Sequence, residues 1–382
     1  MSTSKSGWIA RALLETVLAG VLSVLALAVL LALSGSPVLP ALLALRDGAF
    51  GSWSVLASGT LVRATPLLFA GLAVIVAFRA GILNIGAEGQ LLIGAVAATA
   101  VAMRVPPTIG VAVLLLALCA GVVAGGMWAG IAAALRLRFG VLEVISTIML
   151  NVIAVHVTGL LVRGALQEST RTFPQSGVID VAARLPRLVP GTRLHAGVAI
   201  AVVCAIGLTW FLRSTAAGFR LRMTGANPTA AASAGGIHVA RVTFMAFVAS
   251  GALAGLGGAV EVTGVTFALY ENLSPGYGYT AIAVALLARL NPASAIASAL
   301  VFGALEAGAA AMQRDAQVPA GLVRVVEACV IVVLLASEWV GGRGWGRRSL
   351  IRGGPPDADV SRAADRPARH ASAASTPPAT AP

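Results

Sequence analysis

Apolar runs recur along this chain near residues 13–34, 55–79, 87–103, 108–135, 141–163, 195–213, 241–262, 277–290, 293–312 and 319–338, divided by short polar or glycine-rich stretches. At about 1.5 Å per residue most of them can cross the ~30 Å hydrocarbon core of a bilayer, the eighth being short. The pattern predicts an all-α, polytopic integral membrane protein with about ten transmembrane helices. An even number of crossings puts both termini on one side, and Lys5, Arg11 and the arginine-rich end assign that side to the cytoplasm. The expected division is a cytoplasmic N-terminus (1–12), a transmembrane domain (13–340) with a long cytoplasmic loop (214–240), and a disordered, basic, Ala/Pro-rich cytoplasmic tail (341–382). The 164–194 loop, with Arg171, Arg184, Arg187 and Arg193, counts against this orientation.

Composition supports the class: 58% of residues are hydrophobic and 11% charged, against about a quarter charged in soluble domains. The net charge of +12 is scattered through short loops and the tail, which does not point to nucleic acid. Cys119, Cys204 and Cys329 each fall inside an apolar run and read as small hydrophobes. The first run ends without an Ala-x-Ala site, so no cleavable signal peptide is expected.

Polar residues inside such runs are costly unless they face protein or a water-filled cavity. The stretch Gly81–Gly94 holds Asn84, Glu88 and Gln90 among glycines. Two readings stand: a tight cytoplasmic turn with Glu88 solvated, or irregular backbone lining a path. Glu143, Thr147 and Asn151 follow at i, i+4 and i+8 and share one helical face. That face either lines a path or bridges helices, with Glu143 assigned the structural role. Glu306 lies deep in its run, and Arg324 and Glu327 neutralise each other one turn apart. Tyr270, Tyr277 and Tyr279 cluster within ten residues, where outer-rim anchoring is the default and an outer gate the alternative. Gly251, Ala254, Gly255, Gly258 and Ala259 form a small-residue face suited to internal helix packing.

In the 214–240 loop, Asn227 before Pro228 signals a helix start, and Gly235-Gly236 a stop. A short helix without a large apolar face suits a groove on another protein, or is an ordinary surface helix. Lys5 is the only lysine, and no Gly-x-x-x-x-Gly-Lys-Ser/Thr occurs, so this chain cannot hydrolyse ATP by the P-loop route. His156, His195, His238 and His370 are too dispersed for a local metal site, and no hydrolase motif is present.

The segment FRAGILNIGAEGQLLIGA (78–95) resembles the signature of permease subunits of nucleoside-type ABC importers, within the ribose and branched-chain amino acid permease superfamily. EVISTIMLNVIA (143–154), GFRLRMTGANPTAAASAGGI (218–237), GYGYTAIAVALLARLNP (276–292) and FGALEAGAAAMQR (302–314) are similar to its later marked segments, in order. The resemblance implies a subunit that forms part of a path for nucleosides or related small polar solutes. It implies a second permease, a cytoplasmic ATPase that binds the ATP, and an extracytoplasmic binding protein; this chain would hold no cofactor. Asn84, Glu88, Gln90, Thr147, Asn151 and Tyr277 are the candidate path residues. Gly225, Asn227, Pro228, Ala231 and Gly235 would belong to the coupling helix that docks on the ATPase. The competing expectations are an ion-coupled secondary transporter in which Glu88 or Glu306 titrates, and a channel-like scaffold subunit.

Overall fold

The segment over residues 53–79 is apolar on every face, as a helix buried on all sides must be. In the computed structural model it is one helix, α3 (Trp53–Arg79), with 83% of its most apolar window buried. The structure describes residues 24–325 apart from Ala234, together with Ala328, Cys329 and Val332. Before α3 come α1 (Val24–Leu33) and α2 (Val38–Phe50). After it come α4 (Ala87–Arg104), α5 (Val111–Phe139), α6 (Glu143–Val162) and α7 (Gly197–Ser214). Then follow α8 (Ala216–Ala226), α9 (Pro228–Ser233), α10 (Val239–Glu261), α11 (Tyr277–Leu287) and α12 (Pro292–Asp315). Among the described residues the only β features are isolated bridges.

Among the described residues six helices are long and apolar enough to cross a membrane: α3, α5, α6, α7, α10 with its continuation to Thr266, and α12. The chain is thus a multi-pass, all-helical membrane protein. The third and eighth apolar runs behave differently from the rest. Each is helical over most of its own length but is preceded by irregular chain rich in glycine and polar residues, 81–86 before the third and 267–276 before the eighth. The first run is described only from residue 24, and most of the tenth, Glu327, the N-terminus 1–12 and the tail 341–382 lie outside the described residues. Three helices lie outside the ten runs: α8 and α9 in the 214–240 loop, and α2, whose apolar pattern Arg46, Asp47 and Gly48 break. Tertiary packing supplies what the pattern lacks: Gly48 sits on Ala307 and Ala311 of α12, and Thr60 donates to Ala49 O at 2.8 Å.

The interior is built on α10. Its glycines meet those of α4 and α5, Gly255 lying on Gly94 and Gly125, and Gly251 on Gly125. A Cβ at Gly255 would overlap the carbonyl of Gly121, so the helices touch backbone to backbone. The small-residue face is internal scaffold, as the sequence predicts.

Residues 163–196 form a cap over one end of the bundle. Ser176 N–H donates to Leu269 O at 2.8 Å, Ile179 N–H to Phe267 O at 2.9 Å, and Leu185 N–H to Thr263 O at 2.9 Å. Arg184 stacks over Phe267 at 4.7 Å and donates to Ile179 O, while Arg163 pairs with Glu271 at 2.6 Å. Two of the cap's basic residues therefore have local structural work.

Replacing Gly255 by Val is expected to destabilise the detergent-purified protein by the about 1–3 kcal/mol typical of overpacking, read as a lower thermal unfolding midpoint. Gly207→Val, where nothing lies within 4 Å, is expected to leave it unchanged; equal midpoints for the two variants would contradict the packing.

Candidate functional site

An interrupted helix leaves N–H and C=O groups that water cannot reach at membrane depth, so side chains must satisfy them. At Gly81 (φ +74°) the chain leaves α3 and runs without helix to Gly86, the N-cap of α4. Three amide side chains hold this stretch. Asn84 and Gln90 exchange reciprocal hydrogen bonds of 3.1 Å. Asn84 also donates to Ser250 Oγ at 2.9 Å, and Ser250 donates to Ala73 O at 2.7 Å, which fastens the stretch to α10 and α3. Asn151 of α6 accepts from Gly89 N–H at 2.8 Å and donates to Ile85 O at 2.9 Å. It thereby bridges the two groups, Gly89 N–H and Ile85 C=O, that a continuous helix would have joined in one backbone bond.

The second interruption mirrors the first. From Phe267, bonded to the cap, the chain descends without helix to Gly276 (φ +111°), where α11 begins. The starts of α4 and α11 meet there. A Cβ at Gly278 would overlap Glu88 N and Cα. Gly278 N–H donates to Glu88 Oε2 at 2.7 Å, and the Ser274 hydroxyl is a further partner. One carboxylate thus faces the positive ends of two short helices. From this point α4 runs toward the cap, where Gly177 lies on Met103. In the opposite direction α11 runs to Leu290, whose carbonyl accepts from Arg79 Nε at 2.8 Å.

Glu88 is 5% exposed, so the solvated-turn reading does not describe it. Asn84, Gln90, Thr147 and Asn151 are all buried; the Thr147 hydroxyl donates to Glu143 O at 2.7 Å within its own helix. Glu143 pairs with Arg136 at 2.7 Å, a structural role. Tyr277 is buried at the start of α11 and is not a rim anchor, because its helix begins deep in the bundle. Tyr279 is half exposed and its hydroxyl accepts from Asn151 at 3.3 Å. Around Tyr277 the structure gathers Glu261, Glu306, Arg63 and Glu88, all within electrostatic reach. Sequence reading missed Glu261, near the end of its apolar run, and Arg63, eight residues into its own; a charge inside a run was the available signal. Carboxylates, a phenol and a guanidinium within electrostatic reach of one another carry the donors and acceptors that a solute rich in hydroxyls needs.

In the 214–240 loop, Asn227 Oδ1 accepts from Ala230 N–H at 3.0 Å and caps α9, while Pro228 is exposed. Ala231 faces inward, 1% exposed, and accepts from Ile237 N–H at 3.1 Å. Gly225 is pressed on the backbone of Arg79, Ala80 and Gly81. Gly235 is exposed. Thr229, Ala230, Ala232 and Ser233 form the outer surface of α9.

His195 lies in the cap, just before α7, with no exposure. Its Nδ1 accepts from Gly197 N–H at 3.1 Å, and Nε2 has no partner among the described residues. Burial first, and the Arg193 charge second, push its pKa down to about 4.

Residues 56–335 match the family described as branched-chain amino acid transport system / permease component. The chain is 40% identical over 289 residues to the glucose ABC transporter permease protein TsgB13 of Haloferax volcanii, covering 73% of this chain and 76% of that one. It is 35% identical over 331 residues to the guanosine ABC transporter permease protein NupP of Bacillus subtilis, covering 85% and 93%. The guanosine ABC transporter permease protein NupQ of the same organism is 30% identical over 261 residues, covering 65% and 80%. No solved structure matches significantly.

Glu88→Ala removes the acceptor for Gly278 N–H and Ser274, and is expected to cost about 1–3 kcal/mol of stability. Glu88→Gln keeps an acceptor oxygen and should cost less; thermal midpoints that rank the other way would contradict the bonding. For His195 the unfolded chain takes up its proton near pH 6.5, whereas the folded protein does so only near 4. Stability is therefore full above pH 6.5 and declines as pH falls from 6.5 to 4. The drop in unfolding midpoint between pH 7.5 and 5 should be smaller in His195→Gln than in the wild type.

Proposed function

Because the chain belongs to the branched-chain amino acid transport system / permease component family, a family of membrane permeases, we propose that it forms one half of the path of an ATP-driven importer for nucleosides or related small polar solutes. The observation that carries this reading is the meeting of two interrupted helices at Glu88. Discontinuous helices that begin inside a bundle are how many transporters build a solute site. Relatives named for guanosine and for glucose share a polyhydroxylated, uncharged solute class. Tyr277, Glu261, Glu306 and Arg63 suit hydroxyl groups of either. Glu88 already serves two donors, which weighs against a freely titrating carboxylate and so against ion coupling.

Ten crossings follow when residues 81–104 and 267–290 each count as one interrupted crossing and the first and tenth runs as one each. Both termini and the 214–240 loop then lie in the cytoplasm. The structural work of Arg184 offsets its weight against that orientation. A separate ATPase docks on the outer surface of α9, an extracytoplasmic binding protein delivers the solute to the capped end, and a second permease completes the path. Two matching permeases in one organism support an unlike pair. Movement of α9 reaches the interior through Gly225, which touches the start of the interrupted stretch at Gly81.

In a background with Cys119, Cys204 and Cys329 replaced by Ala, Ser233→Cys should react with an impermeant maleimide in inverted vesicles and not in intact cells; labelling from outside would reverse the topology. With the loop inside, Ala230→Arg should keep wild-type abundance and melting behaviour while ATPase copurification and uptake fall roughly tenfold or more. Normal uptake in that variant would remove the coupling role from α9.

A further inference from the structure

At the end of the bundle opposite the cap, three arginines converge on one cleft. Arg79 closes α3, Arg213 lies in the last turn of α7 and Arg222 on α8; Thr209 and the Asn291-Pro292 start of α12 complete the polar wall. The cleft holds about 140 Å³, and among the described residues no carboxylate lines it. Arg79 and Arg222 repel each other across it. Arg79 is fixed in place by its bonds to Leu290 O at 2.8 Å and Arg289 O at 3.4 Å, which leaves guanidinium donors uncommitted. Among the described residues neither Arg213 nor Arg222 forms an ion pair.

Like charges gathered without a counter-charge are unfavourable unless something neutralises them. Planar guanidinium groups match the oxygens of a phosphate. We propose that this cleft binds a phosphate group, supplied by an anionic phospholipid headgroup or by free phosphate. Ile206, Trp210 and Arg213 follow at i, i+4 and i+7 on α7, the first two strongly exposed. They form an apolar track that ends at the arginine, the arrangement an acyl chain and its headgroup would need. A group held there bridges α3, α8 and the 289–291 turn. It therefore sets how closely α8 follows the end of α3. The inference depends on neither the solute nor the side of the membrane that the cleft faces.

The test uses the full chain, with Arg213→Gln/Arg222→Gln as the variant and Arg220→Gln, on the same helix and outside the cleft, as control. Thermal midpoints are read in detergent against inorganic phosphate, with chloride at equal ionic strength, and in phosphatidylcholine nanodiscs with and without phosphatidylglycerol. The wild type and control should be stabilised, and the half-saturating amount should rise roughly tenfold or more in the double variant. A response to phosphatidylglycerol alone assigns the site to a lipid headgroup, and a response to phosphate assigns it to the free anion. No stabilisation by either probe, an equal effect of chloride, or equal responses in the double variant and wild type would overturn the proposal.

Discussion

The fold depends on satisfying backbone groups where two helices are broken inside the bundle. Each N–H or C=O left unpaired at that depth costs several kcal/mol. The residues that break the pattern are also the ones that repair it. Asn151 bonds both a carbonyl before α4 and an N–H within its first turn. Asn84 and Gln90 satisfy each other and tie the stretch to Ser250. Glu88 then accepts from the opposing helix. The amides and the carboxylate are thus first a structural device, and only the outer edge of that device, at Glu88 and Tyr277, borders the charged cluster.

Glycine makes the device affordable in space. The starts of α4 and α11 can abut only because residue 278 has no side chain, and α10 can approach α4 and α5 only through Gly94, Gly125, Gly251 and Gly255. Backbone contact of this kind supplies van der Waals attraction where lipid offers no hydrophobic driving force between helices. The cap adds hydrogen bonds at the far end, so the descending 267–276 stretch is held above by Ser176 and Ile179 and below by Glu88.

Much of this was legible in the sequence. The long helices follow from apolar length, the α9 start from Asn227-Pro228, and the helix contacts of α10 from its small-residue spacing. The polar stretch at 84–90 announced itself, but its partners did not: Glu88 and Gly278 are 190 positions apart. Local pattern carries no information about which distant N–H will face a carboxylate. Tyr277 was misplaced at the rim because an apolar run does not reveal where inside the bundle its helix begins. The inward face of Ala231 was equally hidden, since an alanine-rich helix has no periodicity to orient it. Helix α2 was missed because its stability comes from α12 rather than from its own composition.

The same contacts determine how motion can travel. Packed backbone transmits displacement without the slack of long side chains, because close-packed interiors are stiff. Gly225 rests on the carbonyl of Arg79 and on Gly81, with no side chain between them. Six residues later the chain from Gly81 reaches the N-terminus of α4, with Asn84 and Asn151 fixing its course. Under the coupling role proposed for α9, a push there would reach Glu88 through Gly225 and Gly81, and Glu88 holds the start of α11. The interruptions that make the bundle costly to assemble are also where its two ends are joined by side-chain rather than helical hydrogen bonds.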